Sequence, residues 1–289
     1  MHNDSICFGI NIYPASGEAA RRQDRANQSL LALRRVELIN LQFRNQYALQ
    51  TREGFDTLCV LEKDSTTVSG RRGTCKPIIS EIFDVLAMEA FKRKCRYFAF
   101  ANSDIEVTQE AVDLVFNAVS ECFVLSRMDY DAASGQDLGM GIRGVDCFVI
   151  DTLWWGKNRR RFRGYIHGDV CWDNTYASIL MCHSDCILLN RAPLIRHQRH
   201  TGGWVDSPFA TFNGYLATLD ARYFSLWCGY IYQLEKLRSR QAMEKDELEL
   251  QRRAFQWTST PWQQLKQAAR SGRAHWRHYC HRVGLKKYV

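Results

Sequence analysis

Residues 96–107, RYFAFANSDIEV, contain the clearest signal for the fold of this chain. They contain an apolar and aromatic run at positions 97–101, which is followed directly by the polar triplet Asn102-Ser103-Asp104. A continuous apolar run, unlike an alternating one, is typical of a strand that is covered on both faces in a parallel sheet. Ligands of such sheets collect beyond the carboxyl ends of the strands. The stretch therefore predicts a buried strand with Asp104 at a ligand-binding edge.

The segments on either side of this strand predict helices. Apolar residues between positions 79 and 91 recur at helical spacing, and Pro77 lies close to the first turn. Downstream, Thr108 can cap a second helix whose apolar face includes Val115 and Val119. An Asn-x-Asp triplet alone is equally compatible with an ordinary turn and helix cap. The surrounding sequence must therefore decide between the two.

Further apolar segments alternate with helical patterns along most of the chain. They predict strands at residues 6–13, 36–41, 57–61, 122–125, 144–150 and 186–189. Strands that alternate with helices indicate an α/β fold with a doubly wound, mostly parallel sheet and helices on both faces. Polar residues follow several of these strands, so one edge of the sheet is expected to carry the functional groups.

The composition bounds the class of protein. The chain has 289 residues, of which 46% are hydrophobic, and this is enough to bury a sizeable core. No apolar run approaches the roughly 18 residues that span a bilayer. The start, MHNDSICFGINIYP, lacks a basic region followed by an apolar signal core. We therefore expect a globular protein in the cytoplasm.

The net charge of +8 lies entirely in the C-terminal part of the chain. Residues 1–228 contain 26 Lys and Arg against 26 Asp and Glu, whereas residues 229–289 contain 13 against 5. This difference predicts two parts, an α/β domain at 1–228 and a basic helical extension at 229–289.

The last residues of the chain combine aromatic and basic side chains at helical spacing. Thr260 and Pro261 predict the start of one helix, and residues 276–283 place apolar side chains at i, i+3, i+4 and i+7. A basic amphipathic helix of this kind fits the surface of an anionic membrane. Packing of the apolar stripe on the rest of the protein is the alternative, and binding to nucleic acid ranks below both.

Two basic loops offer contacts to an anionic group. The loop at residues 68–76 contains two glycines and ends at Lys76, and five cations lie at residues 157–163. Backbone N–H groups and cations of such loops can bind phosphates, although a solvated connection has the same composition. The first loop has neither GxxxxGK[ST] nor GxGxxG spacing, which argues against P-loop and dinucleotide-binding enzymes.

A second block of chemically useful residues lies near position 170. Asp169 and Asp173 are carboxylates four positions apart, and Trp172 lies between them. This arrangement can supply a general base and a platform on which a sugar stacks. Alternatively, Asp173 caps a helix that runs from about Thr175. The residues alone leave both interpretations open.

Taken together, these features resemble a nucleotide-sugar glycosyltransferase of the GT-A type, similar to bacterial family 2-like enzymes. Five features occur in the family's order within roughly residues 5–205: a first strand ending at Tyr13-Pro14, the Gly73-to-Lys76 loop, Asn102-Ser103-Asp104, Trp172-Asp173-Asn174 and His197-Gln198-Arg199-His200. The resemblance implies an enzyme that transfers a sugar from a nucleoside-diphosphate donor to a glycan or lipid-linked acceptor.

In this family an Asp-x-Asp motif at the end of a central strand holds Mn²⁺ or Mg²⁺, which bridges the diphosphate of the donor. Asp104 matches the last position of the motif, whereas Asn102 stands in the place of the first aspartate. A downstream histidine often completes such a site, and we choose His200 over His197. The resemblance further implies contacts to the nucleotide-sugar from Tyr13, Pro14, Asp64, Lys76, Asn102 and Ser103.

The resemblance also implies roles for the second block. Asp173 matches the acid that acts as general base on the attacking hydroxyl, which would invert the anomeric centre. The acceptor is expected to contact Asp146, Asp169, Trp172 and Asn174. The basic tail would hold such an enzyme on the inner face of the membrane, beside a lipid carrier. The alternatives are an inactive protein of the same shape, a nucleic-acid-binding protein that acts through its tail, and a nucleotidyltransferase.

Overall fold

The computed structural model describes residues 3–45, 49–200, 207–241, 243–256 and 269. The chain divides into two compact units. The first consists of Met1–Asp64, Pro77–Gly164 and Ser184–Gly202, and the second of Ser65–Lys76, Tyr165–His183 and Gly203–Val289. Apart from position 269, the predicted tail helices lie outside the described residues, so their membrane role stays a prediction.

The strands of the described residues all belong to the first unit. They are β1 Asn3–Ile10, β2 Val36–Phe43, β3 Asp56–Leu61, β4 Cys95–Ala101, β5 Ile105–Val107, β6 Cys122–Leu125, β7 Arg127–Tyr130, β8 Asp137–Gly141, β9 Cys147–Asp151, β10 Cys186–Leu189 and β11 Ile195–Gln198. Seven of them form a sheet in the order β10-β6-β9-β4-β1-β2-β3, in which only β9 runs antiparallel to its neighbours. The other four form a small sheet in the order β5-β11-β7-β8.

The helices are divided between the units. In chain order they are α1 Gly17–Leu31, α2 Ser65–Ser69, α3 Ile79–Lys92, α4 Gln109–Asn117, α5 Thr152–Asn158, α6 Trp172–His183, α7 Ala210–Leu219, α8 Ala221–Arg238 and α9 Glu244–Ala254. Helices α1, α3, α4 and α5 belong to the first unit, and the others belong to the second. Among the described residues, no helix is both long enough and apolar enough to cross a membrane.

Strand β4 lies at the centre of the larger sheet, and its side chains alternate between two apolar layers. Tyr97 is buried in a cluster that also contains Leu30 of α1 and residues of α4. The ring of Phe98, on the opposite face, lies 5.6 Å from that of Phe83 in α3 and 5.8 Å from that of Trp155 in α5. Helices therefore cover both faces of β4, which confirms the predicted buried strand and the doubly wound, mostly parallel α/β fold.

The strand order places a switch point beside β4. From β1 the sheet extends through β2 and β3 on one side, whereas β4 pairs with the other side of β1. Because β1, β2, β3 and β4 are parallel, the carboxyl ends of β1 and β4 lie side by side. Ligands of open α/β sheets bind in the crevice at such a switch point. The triplet Asn102-Ser103-Asp104 lies directly beyond β4 at this edge.

The predicted end of the first strand is wrong. Strand β1 ends at Ile10 rather than at Tyr13. Beyond Ile10, side chains replace the strand pairing, since the Ile12 N–H donates to Asn40 Oδ1 at 3.1 Å. Tyr13 therefore lies in an irregular segment between β1 and α1.

The predicted helix boundaries are only partly right. Thr108 Oγ1 accepts a hydrogen bond from the Ala111 N–H at 3.3 Å, which confirms the predicted cap of α4. The placement of Val119 on the buried face is wrong, because the backbone leaves the helical conformation one residue earlier and Val119 is 86% exposed. Helix α6 begins at Trp172 rather than near Thr175.

The described part of the second unit is built around buried aromatic residues. The Tyr165 O–H donates to Asp220 Oδ2 at 3.1 Å. Tyr230 of α8 is buried, and its ring lies 5.2 Å from that of Phe255. Helix α8 runs without a break through the position of the predicted domain boundary, between residues 228 and 229. The separate role of residues 229–289 stays a prediction.

The packing of β1 against α3 gives a testable prediction about stability. A Cβ atom on Gly9 would lie 2.3 Å from Leu86 Cδ2 and 2.9 Å from Leu86 Cγ, and Leu86 is fully buried. We expect Gly9→Ala to lower the free energy of unfolding by about 1–3 kcal/mol, the usual cost of overpacking a core. Denaturant unfolding measures this loss. Gly214→Ala in α7, where the added methyl meets no atom within 4 Å, is the matched control. Equal stability of Gly9→Ala and the wild type would contradict the packing described.

Candidate metal centre

Asp104 lies in a turn immediately beyond the carboxyl end of β4. The Ile105 N–H donates back to the Asn102 carbonyl oxygen at 3.1 Å, and β5 starts at Ile105. The Asp104 side chain keeps 23% of its surface exposed. The carboxylate is therefore anchored between two strands and remains accessible to a ligand.

Two histidines converge on this carboxylate. His200 Nε2 lies 3.1 Å from Asp104 Oδ2, and His197 Nε2 lies 3.6 Å from the same oxygen. The potential donor atoms of the three residues all lie within 4.8 Å of one another. Within the part of the chain that the structure describes, no other group of three His, Cys, Asp or Glu side chains meets this condition. We call these three residues the Asp104 cluster.

The small sheet explains how His197 reaches Asp104. Strand β11 is antiparallel to β5, and His197 is in register with Ile105, the residue after Asp104. On its other side β11 is parallel to β7, where His197 is in register with Asp129. His197 therefore lies between Asp104, which directly precedes β5, and Asp129 on β7.

A continuous series of polar contacts runs from the cluster to the first position of the predicted motif. His197 Nδ1 lies 2.9 Å from Asp129 Oδ1. Arg127 donates to Asp129 Oδ1 and to Asp146 Oδ2, each at 2.8 Å. Asn102 Nδ2 donates to Asp146 Oδ1 at 2.9 Å. Asp146 is 5% exposed and supports this network, and its predicted contact with an acceptor stays a prediction.

The antiparallel direction of β9 brings Asp146 to this edge. Asp146 comes directly before β9, and Cys147 at the start of β9 is in register with Ala101 at the end of β4. The Asn102 N–H donates to the Asp146 carbonyl oxygen at 3.2 Å. Asp146, which precedes β9, thus contacts Asn102, which follows β4.

The ionisable groups of the site are tightly coupled. Burial lowers the pKa of His197, but its contacts with Asp104 and Asp129 raise the pKa to about 9. Burial raises the pKa of Asp104, yet the hydrogen bonds from His197 and His200 hold it well below its ordinary value. The pKa of Asp129 is also lowered, because His197 and Arg127 outweigh the effect of burial. The two carboxylates are therefore ionised and favour positive charge between them.

The donor set suits a divalent transition-metal ion. Asp104 offers a carboxylate oxygen, and His197 and His200 offer two imidazole nitrogens. Mg²⁺ prefers oxygen ligands in near-ideal octahedral geometry, whereas mixed imidazole and carboxylate sets are typical of first-row transition metals. Of the two ions that the family resemblance implies, Mn²⁺ therefore fits these residues better than Mg²⁺. A bound cation would take the place of the proton on His197.

The residues of the first unit that are predicted to contact the nucleotide-sugar differ from one another in their exposure and neighbours. Tyr13 is 42% exposed, and its pKa is raised by burial and by the nearby carboxylate of Asp104. Pro14 is exposed and Ser103 is buried. Asp64 follows β3 and forms an isolated bridge to the segment that leads into α3. The structure thus brings Tyr13 close to Asp104, while nucleotide-sugar binding by these residues stays a prediction.

In the second unit, the predicted donor contact Lys76 and the predicted acceptor contact Asp169 lie together. Lys76 Nζ donates to the Gly168 carbonyl oxygen at 3.1 Å and lies 3.6 Å from Asp169 Oδ2. The buried Asp169 carboxylate also accepts hydrogen bonds from the Ser207 O–H and the Val170 N–H. Lys76 therefore compensates a buried negative charge. Contacts of either residue with a substrate stay predictions.

The loop that precedes Lys76 is closed on itself. The Ser65 N–H donates to the Lys76 carbonyl oxygen at 2.8 Å, and the Lys76 N–H donates to Ser65 Oγ at 3.0 Å. A Cβ atom on Gly73 would lie 2.8 Å from Phe209 Cζ. Close packing is therefore sufficient reason for this glycine, without a bound phosphate.

Trp172, Asp173 and Asn174 form the first turn of α6. Trp172 is 3% exposed, and its ring lies 5.6 Å from that of His167 and 6.0 Å from that of Tyr176, so it packs within this unit. Asp173 lies inside the first turn, where a carboxylate also interacts favourably with the helix dipole. Asn174 Oδ1 is buried and has no hydrogen-bond partner among the described residues. The roles of these residues as base and acceptor contacts stay predictions.

The sequence gives no role to Arg127 and Asp129, and it favours His200 over His197 as the metal ligand, whereas the structure brings both histidines to Asp104. Arg127 and Asp129 are two positions apart in a short segment after the strand at 122–125, and this spacing places two side chains on one face of a strand. That spacing was the available signal. The pairing of β7 with β11, which brings Asp129 to His197, has no local signature.

Comparisons with known proteins give distant likenesses only. No family model matches the sequence, and no curated protein matches it. The fold is similar to a crystal structure of residues 1–349 of S. aureus TarS in complex with UDP-GlcNAc, at 11% identity and a TM-score of 0.49. That alignment covers 75% of this chain and 66% of the other, just under two thirds. A crystal structure of the same TarS segment, in which no ligand is named, gives 10% identity, coverage of 97% and 92%, and a TM-score of 0.48. Neither likeness assigns the chain to a family.

Proposed function

We propose that this chain is a metal-dependent glycosyltransferase. It moves a sugar from a nucleoside-diphosphate donor to a glycan or lipid-linked acceptor. The observation that supports this most is the position of the Asp104 cluster, directly beyond β4 at the switch point of a doubly wound sheet. The family that the sequence resembles carries its diphosphate-bridging cation at the position of Asp104.

The metal centre serves the leaving group. Mn²⁺ bound there would neutralise the negative charge that develops on the nucleoside diphosphate. The chain contributes a carboxylate and two imidazoles that are already close together, so little reorganisation is needed when the donor binds. Tyr13, whose pKa is raised by burial and by the Asp104 carboxylate, is the proposed neighbour of the nucleotide.

The proposed general base is Asp173 in the first turn of α6. It takes the proton of an acceptor hydroxyl while the hydroxyl oxygen attacks the anomeric carbon and the bond from that carbon to the diphosphate oxygen breaks. Attack from the face opposite the diphosphate inverts the anomeric centre. Asp169, Trp172, Asn174 and Asp146 are the proposed acceptor contacts.

A lipid-linked acceptor would place the protein at an anionic surface. Lys157 and Arg160 are exposed and form no ion pair within the described residues, so they are the proposed contacts to carrier or headgroup phosphates. Arg159 of the same loop is instead paired with Asp84. The tail helices predicted from Thr260 onward are the other proposed contact, and apart from position 269 they lie outside the described residues.

Catalytic inactivity is the competing interpretation that one observation favours. Asn102 brings no charge to the site, and its amide donates to Asp146. An inactive protein of this shape would keep the fold of the Asp104 cluster without turnover. Nucleic-acid binding depends on the tail and has no support from the described residues.

Calorimetric titration of UDP, GDP and TDP into the full chain tests the metal-dependent donor site. We expect at least one nucleotide to bind with Mn²⁺ and to bind about tenfold or more weakly with Mg²⁺, because two of the three donors are imidazoles. A chelator should remove binding. A nucleotide that binds equally well with Mn²⁺ and with the chelator would contradict the proposed role of the cation.

A further inference from the structure

We infer that Asp129 is a positioning residue of the metal centre, which holds His197 with Nε2 directed toward the cation. This inference rests on the proposed function, since it concerns the same cation. His197 Nδ1 lies 2.9 Å from Asp129 Oδ1, while Nε2 of the same ring lies 3.6 Å from Asp104 Oδ2. The imidazole therefore uses its two nitrogens on two different carboxylates.

The surroundings of His197 keep the ring in this orientation. Its side chain is 8% exposed, and the backbone register of β11 with β7 places it directly beside Asp129. A neutral imidazole carries one N–H, and a carboxylate at Nδ1 keeps that proton there. The lone pair on Nε2 is then free for a metal ion. A buried ring cannot rotate without losing the hydrogen bond to Asp129.

Arg127 holds Asp129 in turn. Arg127 Nε donates to Asp129 Oδ1 at 2.8 Å, and a second guanidinium nitrogen donates to Asp146 Oδ2 at 2.8 Å. Arg127 and Asp129 lie two positions apart on β7, so their side chains share one face of the strand. The rigid, planar guanidinium thus fixes two carboxylates at once. Asp129 Oδ1 therefore contacts both Arg127 and His197.

This arrangement has a general chemical meaning. A histidine that binds a metal usually donates its other N–H to a carboxylate, which fixes the tautomer and increases the basicity of the ligand. Asp129 occupies this position for His197, whereas Asp104 is itself a metal ligand. The carboxylate pair on either side of His197 therefore has two distinct roles.

The test is Mn²⁺ binding by the full chain without any nucleotide or sugar, measured by calorimetry and by the electron paramagnetic resonance signal of free Mn²⁺. We expect Asp129→Ala to weaken Mn²⁺ binding by about 10–100-fold, the usual effect of removing such a partner. Asp137→Ala is the matched control, because Asp137 is an ion-paired acid of the same small sheet whose partner is Arg196. The control should bind Mn²⁺ like the wild type. Thermal unfolding of each variant reports whether it is folded.

A double-mutant cycle with His197→Ala separates positioning from a general structural effect. If Asp129 acts through His197, then Asp129→Ala adds less than about a twofold loss of Mn²⁺ affinity to the His197→Ala variant. A loss as large in that background as in the wild type would mean that Asp129 supports the fold instead, and the inference would be overturned. This cycle remains informative if Asp129→Ala alone lowers the melting temperature.

The outcomes also distinguish this inference from the proposed function. If the wild type binds Mn²⁺ and Asp129→Ala binds it equally well, the positioning role is wrong while the metal centre stands. If the wild type binds no divalent cation, both the metal centre and the role of Asp129 are overturned.

Discussion

Asp104→Asn is expected to reduce Mn²⁺-dependent turnover of the sugar donor by at least about 10²-fold, because in the proposed reaction the cation would supply several kcal/mol of charge stabilisation to the leaving group. Asp104 is the one carboxylate of the cluster, and both histidines direct a ring nitrogen at its Oδ2. The amide keeps the shape of the side chain but brings no charge. The measurement is donor hydrolysis with and without Mn²⁺, together with Mn²⁺ titration.

Asp113→Asn provides the control for this change. Asp113 lies on α4 and accepts a hydrogen bond from Gln109 Nε2 at 2.9 Å, so it is a carboxylate near Asp104 in sequence with a local partner of its own. Its variant should keep wild-type turnover and Mn²⁺ affinity. Unchanged Mn²⁺ dependence in Asp104→Asn would show that the cation, if it acts, acts elsewhere.

Asp173→Asn should lower sugar transfer by about 10²–10⁴-fold, the range that a positioned general base contributes, while donor binding persists. The reason is that the amide cannot accept the proton of the attacking hydroxyl. Transfer to an added acceptor and calorimetric donor binding are measured on the same preparation. Loss of sugar transfer with unchanged donor affinity would indicate that Asp173 acts in the chemical step.

Glu110→Gln tests whether the effect of Asp173 comes from its helix rather than from chemistry. Glu110 is the second residue of α4, as Asp173 is the second residue of α6, so each carboxylate has the same place relative to a helix dipole. The Glu110→Gln variant should show only the small stability loss of that interaction. If Asp173→Asn behaves in the same way and transfers at the wild-type rate, Asp173 is merely a helix residue and Asp169 becomes the next candidate base.

The central strand and the place of Asp104 just beyond its end could be predicted because their signals are local. The apolar run at 97–101 is continuous, and in the structure its side chains are buried in two layers on either side of the sheet. The polar triplet that follows needed no knowledge of distant segments. Asp104 could therefore be placed at the end of a strand from sequence alone.

The rest of the candidate site depends on pairings that join distant parts of the chain. Asp146 reaches Asn102 only because β9 runs antiparallel to β4, and a strand of either direction has the same apolar pattern. His197 reaches Asp129 only through the register of β11 with β7. Neither strand direction nor register can be read from a single short segment.

Charged residues were the least predictable part. The sequence gives no sign that Lys76 lies 3.6 Å from the buried carboxylate of Asp169, and its contact with the nucleotide-sugar stays a prediction. No sequence motif includes Arg127, yet its guanidinium donates to both Asp129 and Asp146. The sequence around a charged residue does not show which distant residue will form an ion pair with it.

Slow hydrolysis of nucleotide-sugars would show directly whether this chain is a metal-dependent transferase. The full chain is incubated with a panel of UDP-, GDP- and TDP-sugars, with Mn²⁺ or with a chelator, and release of the nucleoside diphosphate is followed. We expect that at least one donor is hydrolysed with Mn²⁺, that the chelator stops the reaction, and that Asp104→Asn removes it. Absence of hydrolysis for every donor, together with absence of Mn²⁺-dependent nucleotide binding, would overturn the proposed transferase function.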